Sequence, residues 1–193
     1  MPRSGKEARQ RLQLATLELF EQHGYDATTT AQIAERAGVT ERTFFRHFAD
    51  KREALFDGEA AFKDMLVEAV IAAPQPLSPL ETLLHAFHSA EPLLLQNRPF
   101  TEPRQKLIAQ TPALQERVLT KTASLTTALA SALRQRGINE NLATFTAAVG
   151  MATVSHAMRT WQTDPSTSLP AAIQQAHTDL QNLTALTGLA AKA

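Results

Sequence analysis

The sequence predicts an all-α protein of about nine helices, and three observations lead to this fold class. Apolar residues recur at helical spacing along most of the chain, without a convincing alternation of the kind found in strands. Proline and glycine separate the periodic segments and do not fill them. Apolar residues make up 44% of the 193 positions, which is enough to form a sizeable folded core.

The first helix is predicted over residues 5–23. Its apolar positions, which include Leu12, Leu19 and Phe20, repeat at the spacing of one buried helix face. Gly24 follows directly, and glycine is a typical helix terminator because it readily adopts a left-handed backbone conformation.

Two short helices follow, and threonine residues mark their starts. Thr29 stands three residues before Gln32, which fits a capping box that begins the second helix at Thr30. Thr40 is a suitable N-cap for a third helix over 41–48. Two short helices joined by a tight turn that contains a glycine are typical of a helix-turn-helix motif.

Six further helices are predicted after the third. The first of them spans 51–72 and begins after Asp50, a favourable N-cap. Residues 74–79 contain three prolines and cannot remain helical, because proline lacks an N–H group and restricts the residue before it. The sequence therefore predicts an N-terminal domain over 1–50 and a C-terminal domain over 51–193, linked by the helix over 51–72. The remaining helices are predicted over 80–95, 102–110, 112–136, 139–161 and 170–189.

Composition excludes several kinds of site. The chain has no cysteine, which rules out disulfide bonds and thiolate metal sites. No apolar run reaches the roughly 20 residues that span a bilayer, and the first residues form a charged stretch unlike a signal core. We therefore expect a cytoplasmic protein. The formal net charge is zero, so charge alone is weak evidence for nucleic-acid binding.

Residues 28–51 carry the most specific pattern in the chain, TTTAQIAERAGVTERTFFRHFADK. This segment resembles the DNA-binding region of the TetR family of transcriptional regulators. The resemblance implies an N-terminal helix-turn-helix DNA-binding domain and a C-terminal helical domain for ligand binding and dimerisation. It also implies a repressor that binds a near-palindromic operator as a homodimer and is released by a small, largely apolar effector.

Helical geometry assigns the sides of the third helix. Phe44 and Phe48 are four residues apart, share one face and are predicted to bury the helix. A recognition helix enters the major groove N-terminus first, so Arg42 and Thr43 are expected near the base edges. Arg42 can pair with guanine, whereas Thr43 and Phe45 can contact thymine methyl groups. The family often has tyrosine at this last position, so the contact made by Phe45 is expected to be apolar.

Phosphate contacts are predicted from helix starts and from the resemblance. Thr29 and Thr40 lie at helix N-termini, where hydroxyl and N–H groups bind phosphates. The resemblance places His47 and Lys51 on the phosphate backbone, whereas Arg46 is expected either there or in solvent. The complete set of predicted DNA-binding residues is Thr29, Thr30, Thr40, Glu41, Arg42, Thr43, Phe45, Arg46, His47 and Lys51.

The central helices carry large apolar side chains, which usually form plain core. The resemblance implies that part of this stripe lines a ligand cavity, with His85, His88 and Arg104 as polar contacts. His85 and His88 share a face but have no third ligand at suitable spacing, so neither a metal nor another cofactor is expected. The predicted pocket residues are Phe62, Met65, Leu66, Leu84, His85, Phe87, His88, Arg104, Ile108, Leu125 and Phe145.

The last two predicted helices, over 139–161 and 170–189, contain many small residues. Small residues allow close helix packing, either in the dimer interface that the resemblance implies or in an internal helix pair. On the first interpretation, a large charged residue at Ala148 or Gly150 would produce monomers.

An enzyme and a different helix-turn-helix protein are the competing functional classes. The sequence has no phosphate-binding glycine loop, no nucleophile elbow and no zinc-protease histidine pair, so an enzyme is not expected. A carboxylate pair on a helical scaffold would leave no such motif, and catalytic turnover would reveal it. A recombinase-like or sigma-like protein would instead have a filled helical body without a ligand cavity.

Overall fold

The computed structural model describes residues 3–164 and 166–185, and every regular element in these ranges is a helix. The predicted all-α fold class is therefore confirmed. Within the described ranges, no helix combines the length and apolar character needed to cross a membrane. The ten helices there are α1 (Arg3–His23), α2 (Thr30–Arg36), α3 (Glu41–His47), α4 (Lys51–Leu55), α5 (Glu59–Ala72), α6 (Pro79–Ser89), α7 (Glu91–Gln110), α8 (Pro112–Gln135), α9 (Glu140–Thr163) and α10 (Leu169–Ala185).

One predicted helix is divided in the structure. The segment over 51–72 forms α4 and α5, with a turn between them that contains Gly58. The φ angle of Gly58 is +87°, a left-handed conformation that interrupts the helix and that other residues rarely adopt. The last predicted helix extends to residue 189, and its positions 186–189 lie outside the described residues.

The break predicted between the helices over 80–95 and 102–110 is absent, and the chain instead breaks between α6 and α7, at Ala90. Pro92 falls in the first turn of α7, where a backbone N–H has no intrahelical partner and proline is tolerated. Helix α7 then continues through residues 97–99 and Pro103. An interior proline costs a helix about 3 kcal/mol, a local preference that packing elsewhere along the helix can override.

The chain divides into two compact units. Unit 1 comprises Met1–Ala61 and Asn97–Lys121, and unit 2 comprises Phe62–Gln96 and Thr122–Ala193. These units differ from the two functional domains that the sequence predicts, because residues 97–121 belong to unit 1. The functional division at residue 50 stays a prediction.

The core of unit 1 draws on both of its segments. Leu12 and Phe20 of α1 and Phe44 of α3 are fully buried there. Leu107 of α7 and Leu114 of α8 belong to the same cluster. This core fixes α3 against α1 and so determines which side of α3 stays exposed.

Helix α9 packs against α6 and α10 in the core of unit 2. A β-carbon at Gly150 would lie 2.7 Å from the Cδ1 atom of Leu83, because α6 and α9 approach closely at this point. Gly150 is buried in this contact, as are Ala143 and Ala147 nearby. A charge at Gly150 would therefore disrupt packing inside unit 2, so this substitution does not probe a dimer interface. Ala148 is exposed and remains available to an interface.

Candidate nucleic-acid interface

The capping box predicted at the start of α2 is present. The Thr29 Oγ1 atom accepts a hydrogen bond from the Gln32 backbone N–H at 3.2 Å. In return, the Gln32 Oε1 atom accepts from the Thr29 backbone N–H at 2.8 Å. The cap fixes the entry of the chain into α2 and leaves the neighbouring Thr30 half-exposed.

Helix α3 also begins as predicted. The Thr40 Oγ1 atom accepts from the Thr43 backbone N–H at 3.2 Å, and the two hydroxyl groups lie 3.0 Å apart. Gly38 forms the turn before it with a φ angle of +66°. The turn brings together the first turns of α2 and α3, where the Thr30 hydroxyl donates to the Glu41 carboxylate at 2.5 Å. Two predicted DNA-binding residues, Thr30 and Glu41, are thus partners of each other.

The two sides of α3 differ sharply in burial. Phe44 is fully buried and contacts the rings of Phe45 and Phe48 at centroid distances of 5.4 and 5.7 Å. Phe45 itself is 54% exposed, although it follows a buried phenylalanine. Arg42 and Arg46 are exposed as well. The structure therefore gathers two cations and one aromatic ring on the outer face of α3.

Lys51 has partners that the sequence did not reveal. Its Nζ atom donates hydrogen bonds to the carbonyl oxygens of Tyr25 at 2.6 Å and Thr28 at 2.8 Å. The same atom lies 4.2 Å from the centre of the Tyr25 ring. Burial lowers the pKa of Lys51, although nearby Asp26 opposes this effect. Lys51 thus ties the start of α4 to the loop between α1 and α2 with two of the three N–H donors of its ammonium group.

Lys51→Met is expected to lower both stability and DNA affinity. Loss of charge-assisted hydrogen bonds to two carbonyls should reduce the free energy of unfolding by about 1.5–3 kcal/mol. Affinity should fall alike for all DNA sequences. The slope of log binding constant against log salt concentration should decrease in magnitude by about one. Arg46→Met, at an exposed position on α3, is the control and should leave unfolding nearly unchanged. A Lys51→Met protein as stable in urea as the parent would contradict the structural role.

His47 lies half-buried at the end of α3, and its Nε2 atom has no hydrogen-bond partner among the described residues. Burial lowers the pKa of His47, and the charges of Arg46 and Arg9 lower it further. The imidazole is therefore neutral at neutral pH, with one ring nitrogen able to donate a hydrogen bond.

Arg9 is another residue whose partner lies far along the sequence. Its Nε atom donates to the Asp57 carboxylate at 2.8 and 2.9 Å, and its guanidinium carbon lies 5.0 Å from the centre of the Phe48 ring. The hydrogen bond to Asp57 raises the pKa of Arg9. Arg9 therefore fastens α1 to the turn between α4 and α5.

The predicted pocket residues fall in different places. Six of them, Phe62, Met65, Leu66, Leu84, Phe87 and Leu125, belong to the core of unit 2 or pack against it. His88 is half-buried in the same unit, and its Nε2 atom lacks a hydrogen-bond partner within the described ranges. His85 is exposed, and Phe145 is 67% exposed. Arg104 and Ile108 belong to unit 1.

Two family descriptions match separate parts of the chain. Residues 14–57 match "Bacterial regulatory proteins, tetR family", and residues 77–185 match "MftR C-terminal domain". The regulator TcmR of Streptomyces glaucescens is 38% identical over 84 residues, which are 44% of this chain and 37% of TcmR. The regulator AcrR of Shigella flexneri is 31% identical over 111 residues, 54% of this chain and 47% of AcrR. These matches span less than half of either relative.

Solved structures extend the likeness to the whole fold. A TetR-family regulator from Syntrophomonas wolfei superposes with a TM-score of 0.66 at 16% identity, covering 96% of this chain and 98% of that one. The repressor FadR of Thermus thermophilus, solved with lauroyl-CoA, superposes with a TM-score of 0.57 at 21% identity, covering 96% of this chain and 99% of FadR. The SmeT–triclosan complex superposes with a TM-score of 0.60 at 19% identity, covering 89% of this chain and 90% of SmeT. With the two family matches, the capped helix-turn-helix and the all-helical fold, the chain belongs to the TetR family of transcriptional regulators.

Proposed function

We propose that the protein is a repressor that binds a near-palindromic operator through the outer face of α3. The observation that carries this proposal is the contrast between buried Phe44 and its exposed neighbours Arg42, Phe45 and Arg46. A helix held from behind by its aromatic residues can present its other face to the major groove. Arg42 supplies a bidentate donor for guanine, and Phe45 an apolar surface for a thymine methyl group.

The proposed phosphate contacts surround this face. The hydroxyl groups of Thr29, Thr30 and Thr40 stand at the starts of α2 and α3. The remaining donor of Lys51 is suited to a phosphate oxygen, whereas the Nε2 atom of His47 is shielded from solvent and would have to turn outward to reach one. Glu41 acts through Thr30, since its carboxylate holds that hydroxyl in place.

Arg42→Ala tests the base-reading part of this proposal. The variant should lose about 1–3 kcal/mol of operator affinity and should no longer discriminate at one base pair of each half-site. Its affinity for single-base operator variants, compared with that of the parent, is the measurement. Lys106→Ala, which removes an exposed cation on α7, is the control. An equal loss of affinity for every DNA sequence would indicate that Arg42 contacts the phosphate backbone and not a base.

We further propose a two-fold homodimer formed by α9 and α10. Leu142, Phe145 and Ala148 are spaced by three residues along α9 and are exposed, with Leu142 at 43% and Phe145 at 67%. On α10, Leu183 is 71% exposed. Exposed large apolar side chains on one helix face are typical of an interaction surface. A two-fold dimer presents α3 twice, which accounts for a near-palindromic operator.

The proposed effector is a small, largely apolar molecule that binds in unit 2 near Phe62, Phe87 and His88. Three features support it. Phe62 and Phe87 contact each other at 6.4 Å in this core, His88 has an unpartnered Nε2 atom, and the structurally similar FadR and SmeT were solved with lauroyl-CoA and triclosan. An effector that binds the released conformation more tightly than the DNA-binding conformation by about 5.5 kcal/mol would shift the ratio of released to DNA-binding protein from 1:99 to 99:1.

A panel of apolar compounds, with lauroyl-CoA and triclosan among them, tests the effector. A compound that releases the operator should also change the fluorescence of Trp161, the single tryptophan, which is buried in unit 2. A panel that leaves both operator affinity and fluorescence unchanged would argue against an effector of this class.

A further inference from the structure

Four charged side chains of unit 1, Glu53, Glu59, Arg117 and Lys121, are joined by ion pairs, and Arg104 lies close enough for its charge to interact with that of Glu59. These five residues are hereafter the Arg104 cluster. Glu53 accepts a hydrogen bond from the Arg117 Nε atom at 2.7 Å. The Lys121 Nζ atom lies 3.5 Å from Glu53 and 3.3 Å from Glu59. Arg117 and Lys121 thus form ion pairs with the two carboxylates. Arg104 is the third cation of the cluster.

Arg104 is half-buried, and its Nε atom is shielded from solvent without a hydrogen-bond partner among the described residues. The Oε2 atom of Glu59 is likewise buried, and the Lys121 Nζ atom lies 3.3 Å from it. Burial lowers the pKa of Arg104, and the charge of Glu59 offsets only part of this effect. Burial also raises the pKa of Glu59, which weakens Glu59 as a counter-charge.

An uncompensated guanidinium in this position is unfavourable. Arginine stays charged in proteins, so it cannot escape the cost of burial by losing its proton. A buried charge needs an opposite charge and hydrogen-bond acceptors that saturate its donors. With both carboxylates ionised, the three cations and two anions of the cluster leave one positive charge in excess. One further hydrogen-bond acceptor with a single negative charge would neutralise it.

We propose that Arg104 anchors an anion site in unit 1 that takes the carboxylate group of a small molecule. A guanidinium offers its Nε–H and one terminal N–H side by side, a fork that matches the two oxygens of a carboxylate. Because the Nε atom is shielded from solvent, the surrounding side chains must move to admit the ligand. The excess of one positive charge in the cluster favours a monoanion over a phosphate dianion. The proposal involves residues of unit 1 alone and does not depend on the apolar effector proposed for unit 2.

Thermal unfolding of the full-length protein with sodium hexanoate tests the site. Hexanoate at several times its Kd should raise the Tm by about 2–4 °C relative to sodium chloride at equal ionic strength. Arg104→Met should abolish this response. Without hexanoate, Arg104→Met should unfold at the same temperature as the parent or higher, because it removes a buried charge that has no partner.

Lys106→Met, which removes an exposed cation two positions further along α7, is the matched control and should retain the full hexanoate response. Any one of four results would overturn the proposal. These are the absence of a hexanoate response in the parent, its persistence in Arg104→Met, a stronger response to sodium phosphate than to hexanoate, and a lower Tm or failed folding of ligand-free Arg104→Met. The last result would show that Arg104 already has a stabilising partner within the protein.

Discussion

Phe44→Ala is expected to weaken operator binding strongly, because it destabilises the helix-turn-helix. Phe44 is fully buried and joins the core of unit 1, where it contacts the rings of Phe45 and Phe48. Removing a buried phenylalanine ring costs about 3–5 kcal/mol, through lost burial and the cavity left behind. Whole domains are stable by only about 5–15 kcal/mol, so this loss removes a large part of the stability that holds α3 in place. Urea unfolding followed by circular dichroism measures the loss.

Phe45→Ala is the matched control for this prediction. The two residues are adjacent in the same helix, but Phe45 is 54% exposed. Its replacement should change stability by less than about 1 kcal/mol, as is usual at the surface, while weakening operator binding. Comparable losses of stability in both variants would contradict the burial pattern on which the proposed DNA-binding face rests.

Phe145→Glu is expected to convert the proposed dimer into monomers. An aromatic side chain at the centre of an interface commonly contributes 2 kcal/mol or more, so the dimer Kd should rise by at least about 30-fold. The added carboxylate would also be buried without a partner, which increases the cost. Operator affinity should fall with the dimer, because a monomer holds only one half-site.

Sedimentation at micromolar concentration measures this change. Leu119→Glu, at a 70% exposed position of α8, introduces the same charge away from α9 and should remain a dimer. Ala148→Glu, on the proposed interface, should behave like Phe145→Glu. An unmodified protein that sediments as a monomer, or a dimeric Phe145→Glu variant, would exclude this interface.

The features that the sequence predicted correctly depend on short-range rules. Thr29, Thr40 and Asp50 cap the helices that follow them, because a cap involves only the next few residues. The burial of Phe44 and Phe48 follows from their spacing of four residues on one helix. The break between α4 and α5 also has a local cause, because Gly58 adopts a left-handed conformation there. The prediction of a single helix over 51–72 did not take this glycine into account.

The features that the sequence did not reveal depend on distant contacts. Lys51 reaches the Tyr25 carbonyl 26 positions away, and Arg9 reaches Asp57 at a distance of 48 positions. Gly150 is packed against Leu83 of another helix, which no property of α9 alone could indicate. These pairings follow from the packing of the folded chain, so helical periodicity cannot specify them.

The central claim, that the outer face of α3 reads a specific DNA sequence, is tested most directly by selection from genomic DNA. The purified protein is mixed at low salt with fragments of its own genome and excess random competitor, and the retained fragments are sequenced. The account predicts enrichment of a near-palindromic site whose half-sites lie about one helical turn or a multiple of it apart. Retention of genomic fragments at no higher frequency than random DNA would contradict the account.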